Sequence, residues 1–249
     1  MRRGVVAAAL ALAVLGVGGS SASGEPTGGY SVFSQCPTRA AGVDGCIYGQ
    51  VEGGYMRLGN VTVAITKTLT LQGGLLEEQE TFLKEFAPAL NDESLTNVAQ
   101  PGPDLGGHPL SITAELAAPA SAIWLRMGPK WWSLTLPIKL RLENQFFAHE
   151  CEIGSNTNPI QITLTTGVSA GLGGHAGKKT TMEQGGILVV NGMSMVTADF
   201  AVPKATGCGS TFLNEIVDAI LDLPSENSAI VFNAKIEIAN SELVQEAQR

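Results

Sequence analysis

Residues 61–71 read VTVAITKTLTL and give the clearest indication of the fold, and we call them the deciding stretch. Its odd positions are apolar except for Lys67, and its even positions are threonine or alanine. Successive side chains of a β-strand point to opposite faces of the sheet, so this period of two predicts one long strand with an apolar face and a threonine face. Lys67 interrupts the apolar face, and we expect a bulge or an edge position to release it.

The same alternation recurs along the chain at Ile112, Ala114 and Leu116, at Ile138, Leu140 and Leu142, at Ile160, Ile162 and Leu164, and at Ile230, Phe232, Ala234, Ile236 and Ile238. Gly73-Gly74 is predicted as a turn, and Asn191-Gly192 between two apolar runs predicts a two-residue hairpin. Many strands with few helices and no regular strand–helix alternation predict an all-β fold, an antiparallel β-sandwich or a jelly-roll-like arrangement.

One or two short amphipathic helices interrupt this pattern. Residues 211–223 have helical apolar spacing, with Ser210 or Thr211 as the cap and Pro224 just beyond the end. Residues 75–86 fit either a helix with a glutamate-rich first turn or a strand-to-loop excursion. Residues 91–107, rich in proline, glycine and asparagine, are expected to form a long surface loop or a boundary between sub-domains. We expect a single domain over residues 24–249.

Residues 1–23 are predicted to be a secretion signal. Arg2 and Arg3 precede an apolar and glycine stretch over residues 5–17, and small residues follow at 20–23. The stretch is too short for a transmembrane helix, which needs about 20 apolar residues, and no later segment reaches that length. We therefore expect a secreted protein, extracellular or at the cell surface. Its acidic balance, a formal charge of −8, argues against nucleic acid or an anionic membrane as partner.

The chain has four cysteines, which in an exported protein predict two disulfides with three connectivities to choose from. We favour Cys36–Cys46, which would close a short loop of turn-forming residues, and Cys151–Cys208, which would tie two strand ends together. A zinc site is a poor fit because the sequence contains no C-x-x-C pair.

Several short motifs resemble patterns used in catalysis or metal binding. Residues 167–171, GVSAG, match the nucleophile-elbow pattern, but the glycine-rich continuation is unsuited to the helix that the elbow needs. His149 lies near three glutamates that could help it to hold zinc or calcium, although a solvated turn before Cys151 is the simpler interpretation. No motif selects a carboxylate pair from Glu115, Glu143 and Glu152. We predict no catalytic residue, metal site or cofactor.

Three tryptophans are the candidate ligand-binding residues. Trp131 and Trp132 follow a Gly-Pro turn, and Trp124 lies on the segment before it. Adjacent aromatic rings in an exported β protein could stack on sugar rings or on another apolar ligand. The alternative is that Trp132 continues a core face and that Trp131 covers the end of the sandwich.

Six blocks of sequence carry a resemblance to a known family: FSQCP (33–37), GCIYGQ (45–50), LPIKLRLEN (136–144), CEIGSNTNPIQITLTTG (151–167), GCG (207–209) and LDLPS (221–225). Together they resemble an uncharacterised family of secreted proteins from high-GC Gram-positive bacteria, the actinobacteria. The resemblance implies secretion and a β-rich fold, and it brings no activity, cofactor or catalytic residue. It also implies a proline-rich loop after residue 167, where this chain is glycine-rich.

The sequence therefore favours a secreted or cell-envelope-associated, non-enzymatic structural or binding protein, with a cell-wall glycan or another envelope protein as partner. One alternative is a carbohydrate- or apolar-ligand-binding module that uses Trp124, Trp131 and Trp132. The other is a secreted hydrolase with an acidic active site that no motif identifies.

Overall fold

The computed structural model describes residues 24–76, 83–105, 107–128, 130–181 and 186–249, so the predicted signal peptide lies outside the described residues. The chain is an all-β protein, as the alternation predicts. Its strands are β1 Val43–Leu58, β2 Val61–Ala64, β3 Leu69–Leu76, β4 Leu83–Ala87, β5 Gln100–Asp104, β6 Pro109–Leu116, β7 Trp124–Met127, β8 Trp132–Glu143, β9 Glu152–Ile153, β10 Ile160–Thr165, β11 Val168–Ser169, β12 Leu172–Gly173, β13 Lys178–Thr181, β14 Leu188–Ala198, β15 Ala205–Thr206 and β16 Ser228–Asn240. The helices are α1 Thr211–Leu221 and α2 Ser241–Glu246, with 3₁₀ turns at Gly28–Phe33 and Ala120–Ala122.

Fourteen of these strands form one antiparallel sheet that curls on itself. Its main path runs β10-β14-β16-β1-β3-β4-β7-β8-β6-β5, and β10 also pairs with β8. That extra pairing joins the first eight strands of this path into a closed circuit, which we call the strand ring. Opposite sides of the strand ring pack their apolar faces together, as the two layers of a sandwich do.

The interior is built from the alternating positions that the sequence singles out. The predicted faces of β6, β8, β10 and β16 all contribute to one large core. Ile138, Leu140 and Leu142 on β8 are at most 3% exposed. The intervening positions Lys139 and Arg141 lie on the outer face and are only partly buried. Burial of one face of each strand therefore sets the register of the sheet.

The deciding stretch forms two strands, so the prediction of a single long strand is wrong. β2 and β3 both pair with β1, and the chain leaves the sheet between them with Lys67 exposed. Gln100, which is buried, accepts hydrogen bonds through Oε1 from the Thr66 and Lys67 amides at 2.9 and 3.0 Å. Its Nε2 donates to the Lys67 carbonyl at 2.9 Å. A distant side chain thus replaces the ladder bonds where the lysine leaves the apolar face.

Two glycine-containing pairs that were predicted as turns lie inside strands. Asn191-Gly192 produces a register shift within β14 rather than a hairpin, and Gly192 has φ of +61°. A bulge and a tight turn both use positive φ, so the dipeptide alone does not separate them. Gly73-Gly74 lies in β3, where a Cβ at Gly73 would come within 2.6 Å of the Ala87 carbonyl oxygen.

The helix predicted over residues 211–223 is confirmed as α1, which ends two residues earlier. Ser210 is its cap, and the side chain accepts a hydrogen bond from the Leu213 amide at 3.2 Å. The helical interpretation of residues 75–86 is wrong where it can be compared, because Leu75 and Leu76 end β3 and β4 begins at Leu83. Residues 77–82 lie outside the described residues.

The segment predicted as a loop is bound to the sheet over its described residues 91–105, rather than forming a free surface loop. Leu95 forms a bridge with Leu71 of β3, and β5 pairs with β6. This segment therefore covers the edge of β3 that β4 leaves open, because β4 pairs with β3 only at Gly74 and Leu75. A single domain over residues 24–249 stays a prediction.

Both favoured disulfides are present. Cys36–Cys46 joins a small second core on the outer face of β1 and β16, together with Phe33 and Val244 from the two terminal helical segments. Cys151–Cys208 connects the neighbourhoods of β9 and β15. Within the described part of the chain, no helix has the length and apolar character needed to cross a membrane.

Candidate functional site

The three tryptophans occupy three different environments. Trp132 is 2% exposed, continues the inner face of β8, and has the Lys179 ammonium 5.1 Å from its ring centroid. Trp131 is 44% exposed at the β7–β8 hairpin, and Trp124 is partly buried opposite Thr135. Trp132 therefore belongs to the core and is not available to stack on a ligand. Ligand binding by Trp124 and Trp131 stays a prediction.

The GVSAG motif does not form a nucleophile elbow. Val168–Ser169 and Leu172–Gly173 pair with each other as the short hairpin of β11 and β12. The Ser169 hydroxyl accepts a hydrogen bond from the Ala198 amide at 3.2 Å. The motif has a hairpin where the elbow needs a strand followed by a helix, so its match to the pattern is one of sequence alone.

The three glutamates named as candidate acids meet on the outer face of β6, β8 and β9. Glu115 lies 3.9 Å from Lys139 and 3.1 Å from Arg141, measured between the nitrogen and oxygen of each ion pair. Glu152 lies 3.0 Å from Lys139, and Glu143 approaches Arg141 at 3.3 Å without hydrogen-bond geometry at Nε. Lys139 and Arg141 of β8 thus pair with Glu115 of β6 and Glu152 of β9 across the strands, and such cross-strand charge pairs stabilise a sheet.

This ion network, apart from Glu143, lines a cleft of about 450 Å³. His149, Glu150, Thr206 and Gly207 complete its wall, and all four lie within two residues of the Cys151–Cys208 disulfide. The disulfide therefore holds the cleft together. Within the described residues, no group of three or more histidine, cysteine, aspartate or glutamate side chains is placed to hold a metal ion. Because its carboxylates are already paired with cations, we interpret the network as structural.

A more distinctive feature is an apolar surface around α1, which we call the helix patch. It consists of the exposed side chains Phe146, Phe212 and Ile220 with the partly buried Leu213 and Ile216. Phe212, Ile216 and Ile220 follow one another at intervals of four and therefore form one stripe on the helix. With Leu105 and Phe147, most of these side chains line a groove of about 610 Å³.

A second feature is an apolar cavity of about 70 Å³ inside the strand ring, which we call the ring cavity. Its lining includes Leu134, Leu164 and Met195 together with the small residues Gly49 and Ala234. Gly49 lies on β1 between its two partner strands β3 and β16, and it is among the residues that line the cavity. The missing side chain leaves space that the surrounding leucines do not fill.

The sequence contains a signal for the helix patch that composition alone does not reveal. Six of the eleven residues of α1 are large and apolar, the upper end of the about three to four per two turns that a core-facing stripe takes. Val217 and Leu221 point into the core, which leaves the stripe at Phe212, Ile216 and Ile220 for the surface. The sequence has no comparable signal for the ring cavity, because an isolated glycine in a strand also marks bulges and close contacts.

Comparison with known proteins adds no relative: no protein-family model, curated protein or solved structure matches this chain.

Proposed function

We propose that this chain is a secreted or cell-envelope-associated, non-enzymatic binding protein that holds a partner protein on the helix patch. The supporting observation is the clustering of exposed apolar side chains. Of the seven large apolar residues that are exposed in the described part of the chain, three are Phe146, Phe212 and Ile220, at 55%, 69% and 37%. Contiguous exposed apolar surface is typical of interaction sites, whereas scattered exposed residues need no explanation.

The compartment is argued from the sequence and the covalent structure together. The predicted signal peptide directs the chain out of the cytosol, and two disulfides suit an oxidising compartment. Both disulfides fix surface segments onto the sheet, and Cys208 lies close before the Ser210 cap of α1. The helix patch therefore rests on a rigid support, which lowers the entropy lost on binding.

The charge around the helix patch indicates what its partner should look like. α1, TFLNEIVDAIL, contains acidic residues and no lysine or arginine. Asp104 lines the groove, and Glu215 is exposed beside Ile216. A second copy of the chain would bring like charges together, on top of a formal charge of −8 for each copy. A partner with an apolar centre flanked by lysine or arginine is the complementary surface.

Photocrosslinking in the cells that export the protein tests this proposal. A photoreactive phenylalanine analogue would replace Phe212. A matched control would carry the analogue in place of Leu90, which is 63% exposed and lies far from α1 in the sequence. We expect a crosslink from position 212 to a different protein and none from position 90. Ile220→Asp in the same chain should abolish the crosslink, because it places a charge in the patch.

Three results would count against the proposal: no product at position 212, the same product from both positions, or a crosslink only between copies of this chain. Ile220 is partly exposed, so Ile220→Asp should leave the fold intact, and near-ultraviolet circular dichroism of the purified variant checks this.

A further inference from the structure

We infer that the ring cavity is a second binding site, separate from the helix patch, which takes the end of an unbranched alkyl chain of an amphiphile. The inference rests on three observations: how the cavity is formed, why glycine occupies position 49, and what lines the space.

The cavity exists because two small residues face the interior side by side. Gly49 on β1 lies opposite Ile236 of β16, and Ala234 lies opposite Val51 of β1. Both line the cavity, and the larger side chains across the strand ring do not reach into the gap. Interiors normally pack without such voids, because an empty space forfeits contacts in proportion to its size.

Backbone geometry does not require glycine at position 49. A Cβ there would lie 3.6 Å from the Leu71 carbonyl oxygen and 3.8 Å from Ile236 Cγ1, which are ordinary contact distances, and its φ is outside the left-handed region. Gly54 on the same strand is the contrast, with φ of +114° and a Cβ position only 1.9 Å from the Val231 carbonyl oxygen. Gly54 serves the backbone, whereas the consequence of Gly49 is open apolar space.

The lining determines the chemistry of the occupant. It is almost wholly apolar, so a polar group that entered would lose its hydrogen bonds to water without finding new partners. The volume of about 70 Å³ is roughly half of the 150 Å³ cavity that accommodates benzene, so an alkyl chain end fits and an aromatic ring does not. Leu71, Leu95 and Phe232 line the cavity while remaining partly exposed, which gives the chain a way in.

The test uses 1-octanol as the probe and the purified mature protein with ¹³C-labelled methionine methyl groups. Met195 lines the cavity, and Met56 is a buried core methionine outside its lining. We expect octanol to shift the Met195 methyl resonance saturably and to leave Met56 unmoved. Benzyl alcohol, which carries the same hydroxyl on an aromatic ring, should leave both unmoved.

Two alanine substitutions provide the matched pair. Gly49→Ala places a methyl group in the cavity, and we expect octanol binding to weaken at least fivefold. Gly53→Ala makes the same change on the same strand, where a Cβ meets only Asn233 Nδ2 at 4.0 Å, and binding should be unchanged.

The inference is overturned if octanol does not shift Met195, if benzyl alcohol shifts it equally, or if Gly49→Ala binds octanol like the wild type. A thermal melt shows whether Gly49→Ala is folded, and we expect it to melt no lower than the wild type. If it does not fold, the comparison of octanol with benzyl alcohol on the wild type decides. If the helix patch binds no partner protein, the results expected for octanol stay the same.

Discussion

Gln100 provides the sharpest test of how the deciding stretch is held in two strands. Its amide makes three hydrogen bonds of 2.9 to 3.0 Å to the backbone of Thr66 and Lys67, at the point where the chain leaves the sheet. Gln100→Ala removes all three at once. It leaves two amides and one carbonyl without their protein partner, and it opens a small gap where a buried side chain had been.

The expected loss follows from the number of bonds. A typical hydrogen bond contributes about 0.5–1.5 kcal/mol net, so three bonds give about 3 kcal/mol and no less than about 1.5 kcal/mol. The lower value applies if water reaches the freed backbone groups, since Thr66 and Lys67 are exposed. Domains are stable by about 5–15 kcal/mol, so the change is a substantial part of the total.

Urea unfolding followed by tryptophan fluorescence measures this loss, with the buried Trp132 as a reporter of the core. Gln161→Ala is the matched control, because Gln161 is exposed on β10 and its removal should cost less than about 0.5 kcal/mol. The denaturant dependence should be the same in both variants. The reasoning is refuted if Gln100→Ala loses no more stability than Gln161→Ala.

Two further predictions concern the covalent and conformational constraints. Replacing both cysteines of Cys151–Cys208 by alanine should cost about 4 kcal/mol, and the same change at Cys36–Cys46 about 3 kcal/mol, because chain-entropy loss grows with sequence separations of 57 and 10 residues. Urea unfolding checks the order, and the reverse order would contradict it. Gly192→Ala should cost about 1 kcal/mol, because Gly192 has φ of +61° with open space around it. Gly173→Ala, which is equally open but lacks positive φ, should change the melting temperature little, and equal losses would contradict the strain argument.

Some features could be predicted from the sequence because local chemistry dictates them. The period of two assigned the inward faces of β6, β8, β10 and β16, since burying one face of a strand leaves little freedom in which residues point inward. α1 could be placed because its cap and its following proline act within a few residues of the helix ends. Cysteine spacing and turn chemistry favoured the disulfide pairing that the structure has.

Other features depended on partners distant in sequence. Lys67 marked a break in the deciding stretch, but only Gln100, more than thirty residues away, shows how the broken backbone is satisfied. Asn191-Gly192 has the same local preference in a hairpin and in a bulge, and pairing of β14 with β16 on both sides of it selected the bulge. The glutamates of the ion network meet because β6, β8 and β9 are neighbours, which no sequence spacing expresses.

The fold class, the inward faces of β6, β8, β10 and β16, and helix α1 could all be predicted from the sequence, because they follow from the local pattern of polar and apolar side chains. The tertiary structure decided which strands close into a ring, which stripe of α1 is left at the surface, and where Gly49 opens a space. These depend on what packs against each element, and packing joins residues that the sequence separates.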